Sequence, residues 1–198
     1  MEQKISKTTE ILTILAQGGV GVMPTDTIYG LIGSAFSEKA VERIYKLKGR
    51  DTKKPFIILI NSVQDLEKFF IFPNMSTKKV LAKVWPGKVT VILPCDRNEL
   101  LYLHRGVGSF AFRVPDKVDL REIIRISGPL VAPSANVEGQ LPAESVEQAR
   151  KSFGDMVNFY QDGGLCQSLP STIISFSNGV CKIVRSGASD DLIKKFTY

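Results

Sequence analysis

The chain has 198 residues, 43% hydrophobic and 23% charged, with 26 basic and 20 acidic side chains that leave a net charge of +6. That length and balance predict one folded domain over residues 1–198 and argue against a disordered chain; the modest positive excess suits an anionic ligand such as a nucleotide or RNA without requiring one. Three scattered cysteines (Cys95, Cys166, Cys181) and a single histidine, His104, argue against a disulfide framework, a histidine-rich metal centre and a Ser-His-Asp triad. The short apolar run 11–16 is broken by Gln17-Gly18-Gly19. It is far below the about 20 apolar residues of a membrane span and lacks the features of a signal peptide, so the expected compartment is the cytoplasm.

The spacing predicts a helix over 5–17, ended by Gly18-Gly19, then a strand over 20–23. The strand runs into the polar turn Pro24-Thr25-Asp26-Thr27-Ile28-Tyr29-Gly30. Ser37 is placed to cap a helix to about residue 47, with Val41, Ile44 and Tyr45 inward. A buried strand follows over 56–60. Ser62 starts a helix with Leu66, Phe69 and Phe70 facing in, and a further helix is expected near 78–84. Strands are predicted over 89–93 and 109–114, with an irregular loop over 97–107 between them. After a helix over 120–126 and a strand over 130–132, Ser145 and Gln148 predict a capped helix to about residue 153. Strands near 157–160, 172–176 and 181–184 follow, the last two joined by a hairpin turn at Ser177-Asn178-Gly179, and a helical tail covers 190–196. Early alternation of helices and strands, then clustered strands, predicts an α/β fold with a twisted open mixed sheet and flanking helices.

Several polar residues stand at element ends, and each has a structural and a functional reading. Lys48 follows Val41, Ile44 and Tyr45 at helical spacing. It either satisfies the helix dipole while its stem covers the core, or reaches a cleft edge. Arg50, Lys53 and Lys54 are a solvated loop or a positive patch. Ser134 and Asn136, in a second polar turn after an apolar strand, are ordinary turn residues or ligands for phosphate or ribose. Arg113 shares a strand face with Ser109 and is an ion-pair partner or a carboxylate clamp. Arg185, at a strand end, meets phosphate or is an edge charge. His104 is expected on the surface, and Asp26 and Asp162 are weak candidates read as turn residues. Gly18-Gly19-Val20-Gly21 precedes its strand, so it is no dinucleotide fingerprint. Pro86-Gly87-Lys88-Val89-Thr90 lacks the first glycine and the Lys-Ser/Thr pair of a P-loop.

Taken in order, Pro24-Thr25-Asp26-Thr27-Ile28-Tyr29-Gly30-Leu31, Lys48-Gly49-Arg50, Trp85-Pro86-Gly87, Arg113-Val114-Pro115, Ser134-Ala135-Asn136 and Ser171-Thr172 resemble the YrdC/Sua5/TsaC family of L-threonylcarbamoyladenylate synthases, in its short single-domain form. The resemblance implies a YrdC-like α/β domain with a positive concave face. It implies formation of threonylcarbamoyl-AMP and pyrophosphate from L-threonine, bicarbonate and ATP, for tRNA threonylcarbamoyladenosine (t6A) modification completed by downstream threonylcarbamoyl-transfer proteins. It places Lys48 and Arg50 as catalytic cations, and Lys48, Arg50, Lys54, Ser109, Ser134, Asn136 and Arg185 around ATP. Thr27, Arg113, Ala132 and Ser171 fall around threonine, with Mg²⁺ held by the phosphates rather than by a protein metal site. Four departures stand out: Lys88 and Ser186 where proline is frequent, Lys54 where asparagine is common, and Leu59 where some members carry histidine. The last two are expected near the ligand. The rival reading is a YrdC-like module that binds tRNA or double-stranded RNA without synthase activity; a hydrogenase-maturation carbamoyl protein would need domains this length cannot hold.

Overall fold

The computed structural model of the chain describes residues 2–177 and 180–195. The turn residues Asn178 and Gly179 and the predicted end of the tail at Phe196 lie outside the described residues. Among those described, nine strands form one mixed sheet. They are β1 (Val20–Pro24), β2 (Tyr29–Ser34), β3 (Ile57–Leu59), β4 (Val89–Pro94), β5 (Ser109–Arg113), β6 (Leu130–Val131), β7 (Phe159–Tyr160), β8 (Thr172–Ser177) and β9 (Val180–Arg185). The spatial order is β7-β1-β2-β6-β3-β5-β4-β8-β9. β1 with β2, β4 with β5 and β8 with β9 are antiparallel, whereas β3 with β5 and β4 with β8 are parallel. The sheet is therefore the mixed, open one that the alternation of elements predicts.

Both faces of the sheet carry a core, the second over only part of its extent. Successive side chains of a strand point to opposite faces, and along β1 and β2 they divide accordingly. Val20, Val22 and Leu31 join the larger core with Phe69, Phe110 and Phe112. Met23 and Ile32 join a second core with Leu59, Leu120 and Ile124. Helices α1 (Glu2–Ala16) and α5 (Val118–Ser127) close the second face together. Helix α2 (Glu38–Lys48) packs on β2, with Val41, Ile44 and Tyr45 inward. Its ends follow the sequence: Ser37 accepts from the Ala40 amide at 3.3 Å, and Gly49 takes a left-handed φ of 59° where the helix stops.

Several expectations need correction. The polar turn at 25–28 is short, because Tyr29–Ser34 is a second strand antiparallel to β1. Gly30 and Gly33 hide it from propensity, yet a side chain at Gly33 would press on Ala40 and Ile44 of α2. The segment Val63–Phe69 is 3₁₀ rather than α. With three residues per turn, Leu66 and Phe69 share the inner face and Phe70 rotates away, 49% exposed beneath the Arg97 guanidinium. The next helix, α3 (Met75–Val84), starts earlier than expected because Asn74 caps it. The stretch 97–107 contains a 3₁₀ turn (Asn98–Leu100) and a short helix, α4 (Leu101–His104). His104 is buried at 4% exposure, not on the surface. Its Nδ1 accepts from the Gly106 amide and its Nε2 lies 3.0 Å from the Arg97 carbonyl, so the proton sits on Nε2. The capped helix α6 (Val146–Phe153) and the C-terminal α7 (Asp190–Lys194) complete the order.

Candidate active site

A cavity of about 450 Å³ opens where the β1–β2 turn, the loop after α2, the exposed side of β5 and the end of β9 meet. That volume suits a small-molecule ligand. Nine of the residues proposed from sequence line it. Thr27, Arg113, Ala132 and Ser134 stand on one side, and Arg50, Lys54, Ser109, Ser171 and Arg185 complete the wall. Lys48 and Asn136 do not line it.

The β1–β2 turn is held by its own hydroxyls. Thr25 Oγ1 donates to the Ile28 carbonyl at 2.7 Å and accepts from the Thr27 amide at 3.1 Å. Its hydrogen is thereby used, so Thr27 Oγ1, 3.0 Å away, is the donor between the two side chains. Beside it Arg113 is buried and paired with Asp26, and it also donates to Thr27 Oγ1 at 3.3 Å. Asp26 was weak in the sequence, yet it is the counter-ion of this arginine, and its second oxygen accepts from the Asp116 amide at 3.1 Å. Burial pushes the Arg113 guanidinium below its ordinary pKa and the Asp26 carboxylate pushes it back. Arg113 Nε has no hydrogen-bond partner among the described residues.

The Ser134–Asn136 turn is braced from behind. Lys48, 1% exposed, gives its ammonium to the Ser134 carbonyl at 2.6 Å, the Asn136 carbonyl at 2.8 Å and Asn136 Oδ1 at 3.1 Å. Burial lowers its pKa to about 8; the Arg50 charge pushes the same way and Glu138 opposes it. Asn136 Nδ2 donates to the carbonyls of Val137 and Gln140 at 2.9 and 2.8 Å. Every polar atom of the Asn136 side chain is therefore occupied. Ser134 Oγ donates to Asn136 Oδ1 at 2.6 Å, so towards the cavity it offers lone pairs only. Of Lys48, Arg50, Ser134 and Asn136, all expected around ATP, the structure thus brings Arg50 and Ser134 to the cavity and places Lys48 and Asn136 in the framework beneath them.

The loop after α2 is open by contrast. Arg50 Nε reaches the Lys54 carbonyl at 3.3 Å, and its guanidinium lies 5.7 Å from the Phe56 ring. Glu138 ties the loop down, accepting from the Asp51 amide at 3.0 Å and facing Lys54 Nζ at 3.4 Å, while its own amide donates to the Lys48 carbonyl at 2.7 Å. On the far wall, Arg185 Nη2 donates to the Ser171 carbonyl at 2.6 Å. Burial lowers its pKa first, and the charges of Arg113 and Arg50 add to that. Arg185 thus feels the charges of both other guanidiniums across a single cavity. Among the departures, Leu59 lies in the second core and does not line the cavity, which corrects the expectation of a place near the ligand; Lys54 does line it.

Fold and site define an α/β protein with a cationic ligand cavity set into a mixed sheet. The family model for Sua5/YciO/YrdC proteins, described as "Telomere recombination", matches residues 13–187, and the chain belongs to that family. It is 32% identical over 177 residues to the threonylcarbamoyl-AMP synthase of Bacillus subtilis, covering 88% of this chain and 51% of that one. It is 29% identical over 187 residues to a putative threonylcarbamoyl-AMP synthase of Mycobacterium tuberculosis H37Rv, covering 94% and 86%. The solved structure of Pyrococcus abyssi Sua5 complexed with L-threonine superposes with a TM-score of 0.88 at 29% identity, over 96% of this chain and 57% of that one. The chain therefore spans about half the length of the Bacillus and Pyrococcus relatives and most of the mycobacterial one. Escherichia coli YciO shares the fold, with a TM-score of 0.83 at 22% identity.

Proposed function

We propose that this chain is an L-threonylcarbamoyladenylate synthase that forms threonylcarbamoyl-AMP and pyrophosphate from L-threonine, bicarbonate and ATP, supplying the t6A modification of tRNA. The observation that carries the reading is the convergence of Arg50, Arg113 and Arg185 on one cavity that no carboxylate lines among the described residues; Asp26 pairs with Arg113 from outside that lining. Those three guanidiniums, with Lys53 and Lys54 also on the wall, leave a positive field that an amino-acid carboxylate and a polyphosphate would balance. Named relatives at about this identity support the same choice.

The chemistry asks little of the protein beyond placement. The neutral amine of threonine condenses with bicarbonate to give a carbamate and water, and a carbamate oxygen attacks the α-phosphorus of ATP; pyrophosphate leaves. The attacker comes from substrate, so a buried and engaged His104 is consistent with the mechanism. Arg113 would hold the amino-acid carboxylate beside Thr27 and the Ala132 backbone. Arg50, Lys54 and Arg185 would hold the phosphates and stabilise the charge that builds on the leaving group, while Ser134 would accept from a ribose hydroxyl. Ser109 stands near the nucleotide. Lys48 and Asn136 act by fixing the turn. Asp26 is spent on Arg113 and the Asp116 amide, and among the described residues no group of His, Cys, Asp or Glu gathers to hold a metal. Mg²⁺ would enter as the counter-ion of ATP, on its phosphates. The basic balance of the chain suits handover towards tRNA and the transfer proteins. Among the described residues no helix is long and apolar enough to cross a membrane.

Mass spectrometry of protein with ATP, Mg²⁺, bicarbonate and L-threonine tests the proposal. Threonylcarbamoyl-AMP is expected only when threonine is present; bound ATP with no such product would favour the RNA-binding reading.

A further inference from the structure

We propose that Thr90 is a positioning residue for the ligand-facing hydroxyl of Ser171: it donates to Ser171 Oγ and so leaves the Ser171 hydrogen free to be given to an anionic oxygen in the cavity. The inference rests on the synthase reading, in which Ser171 faces threonine. Thr90, in β4, is completely buried and does not line the cavity. Its hydroxyl lies 2.8 Å from Ser171 Oγ, and either atom can donate on distance alone. The surroundings decide the direction. Arg185 Nη2 stands 3.2 Å from Ser171 Oγ, and a guanidinium can only donate, so Ser171 already accepts there.

If Ser171 donated to Thr90, the Thr90 hydrogen would be left in the core without an acceptor among the described residues, which is costly. If Thr90 donates, both Ser171 lone pairs are filled and its hydrogen turns to the cavity that Ser171 lines. The result is a polarity that Ser134 reverses: the Ser134 hydrogen is consumed by Asn136, so that wall accepts while the Ser171 wall donates. Arg113 Nε, buried and without a partner among the described residues, is another donor at the same cavity. Donors of this kind suit the carboxylate of the amino acid.

The test is calorimetric titration of the full chain with L-threonine and, separately, with ATP. Thr90→Val keeps the shape and removes the hydroxyl. It is expected to weaken threonine about tenfold, the scale of one hydrogen bond to a charged group, and to leave ATP affinity unchanged. Thr90→Ser restores the hydroxyl and should bind threonine as wild type does. In a Ser171→Ala background Thr90→Val should add nothing, since its effect passes through that hydroxyl. Unchanged threonine affinity in Thr90→Val, equal losses for both ligands, or additivity with Ser171→Ala overturns the inference alone. Wild-type protein that takes up no threonine overturns the parent reading as well. If Thr90→Val loses its cooperative melt, Thr90→Ala takes its place in the same cycle with the same expected result.

Discussion

Arg113 and Arg50 face one cavity from opposite circumstances. Arg113 is buried, paired with Asp26 and bonded to Thr27; Arg50 sits on a loop whose anchor to the next turn is the half-exposed Glu138. A buried pair is set before ligand arrives and cannot be changed without disturbing the core. A loop cation can adjust to a flexible polyphosphate and should be removable at little structural cost. The Arg113 end of the cavity is thus preorganised and the Arg50 end adaptable.

Removing Arg113 should have the largest effect. Arg113→Ala leaves the Asp26 carboxylate buried without its cation, a loss of about 3–5 kcal/mol in unfolding free energy. It should also weaken threonine far more than ATP. Urea unfolding of Arg113→Ala beside the double variant with Asp26→Ala separates the two roles. The double variant should recover much of the stability and none of the threonine binding. If the single variant is as stable as wild type, Arg113 and Asp26 are not the preorganised pair described above.

Arg50→Ala sharpens the other half of the comparison. Turnover should fall by about 100-fold or more, as for loss of a charge-stabilising donor, while the thermal midpoint stays near that of wild type. Pyrophosphate release and a melting curve on one preparation suffice. Near wild-type turnover would count against the catalytic role of Arg50.

How far the sequence reveals this arrangement depends on the kind of signal. The strand β5 and its alternation put Ser109 and Arg113 on the cavity side, as the odd spacing predicts. Lys48 is in phase with the buried face of α2 and is buried, but spacing cannot tell whether an ammonium ends in a cleft or behind a turn. That depends on the carbonyls of Ser134 and Asn136, 86 and 88 positions away. Asp26 was legible only as the partner Arg113 needs, since no local pattern joins residues 87 apart. Thr90, taken as part of a rejected phosphate-loop lookalike, had no signal of its own. His104 misleads because a charged neighbour suggests a surface, whereas its ring fills a space against Phe110. Local chemistry shows the walls of the site; the contacts behind the walls are long-range and come from the sheet order.

A smaller effect probes the loop itself. Glu138→Gln keeps an acceptor for the Asp51 amide but drops the charge facing Lys54 and Arg50. The KM for ATP should rise a few-fold with kcat and the KM for threonine little changed, because the threonine end does not depend on this anchor. Equal rises for both substrates in steady-state kinetics would mean that the two ends are not independent.

A last effect concerns pH and the brace behind Ser134. Lys48 has a folded-state pKa of about 8, below the 10.5 of an ordinary lysine. Between these values the unfolded chain holds a proton that the folded chain has released. Stability rises with pH wherever the unfolded state binds more protons, so the Lys48 contribution to unfolding free energy should increase from pH 8 towards pH 10.5. Lys48→Met removes one donor from each of three acceptors and is expected to be less stable throughout, but it lacks this titration. Subtracting its urea-unfolding free energy from that of wild type at each pH cancels the other lysines and the cysteines, which titrate alike in both. The difference should be flat below pH 7 and grow above pH 8. A difference that stays level to pH 10 would show that the three carbonyl and amide oxygens offset the burial of the ammonium, and that the brace under the Ser134 turn is insensitive to pH.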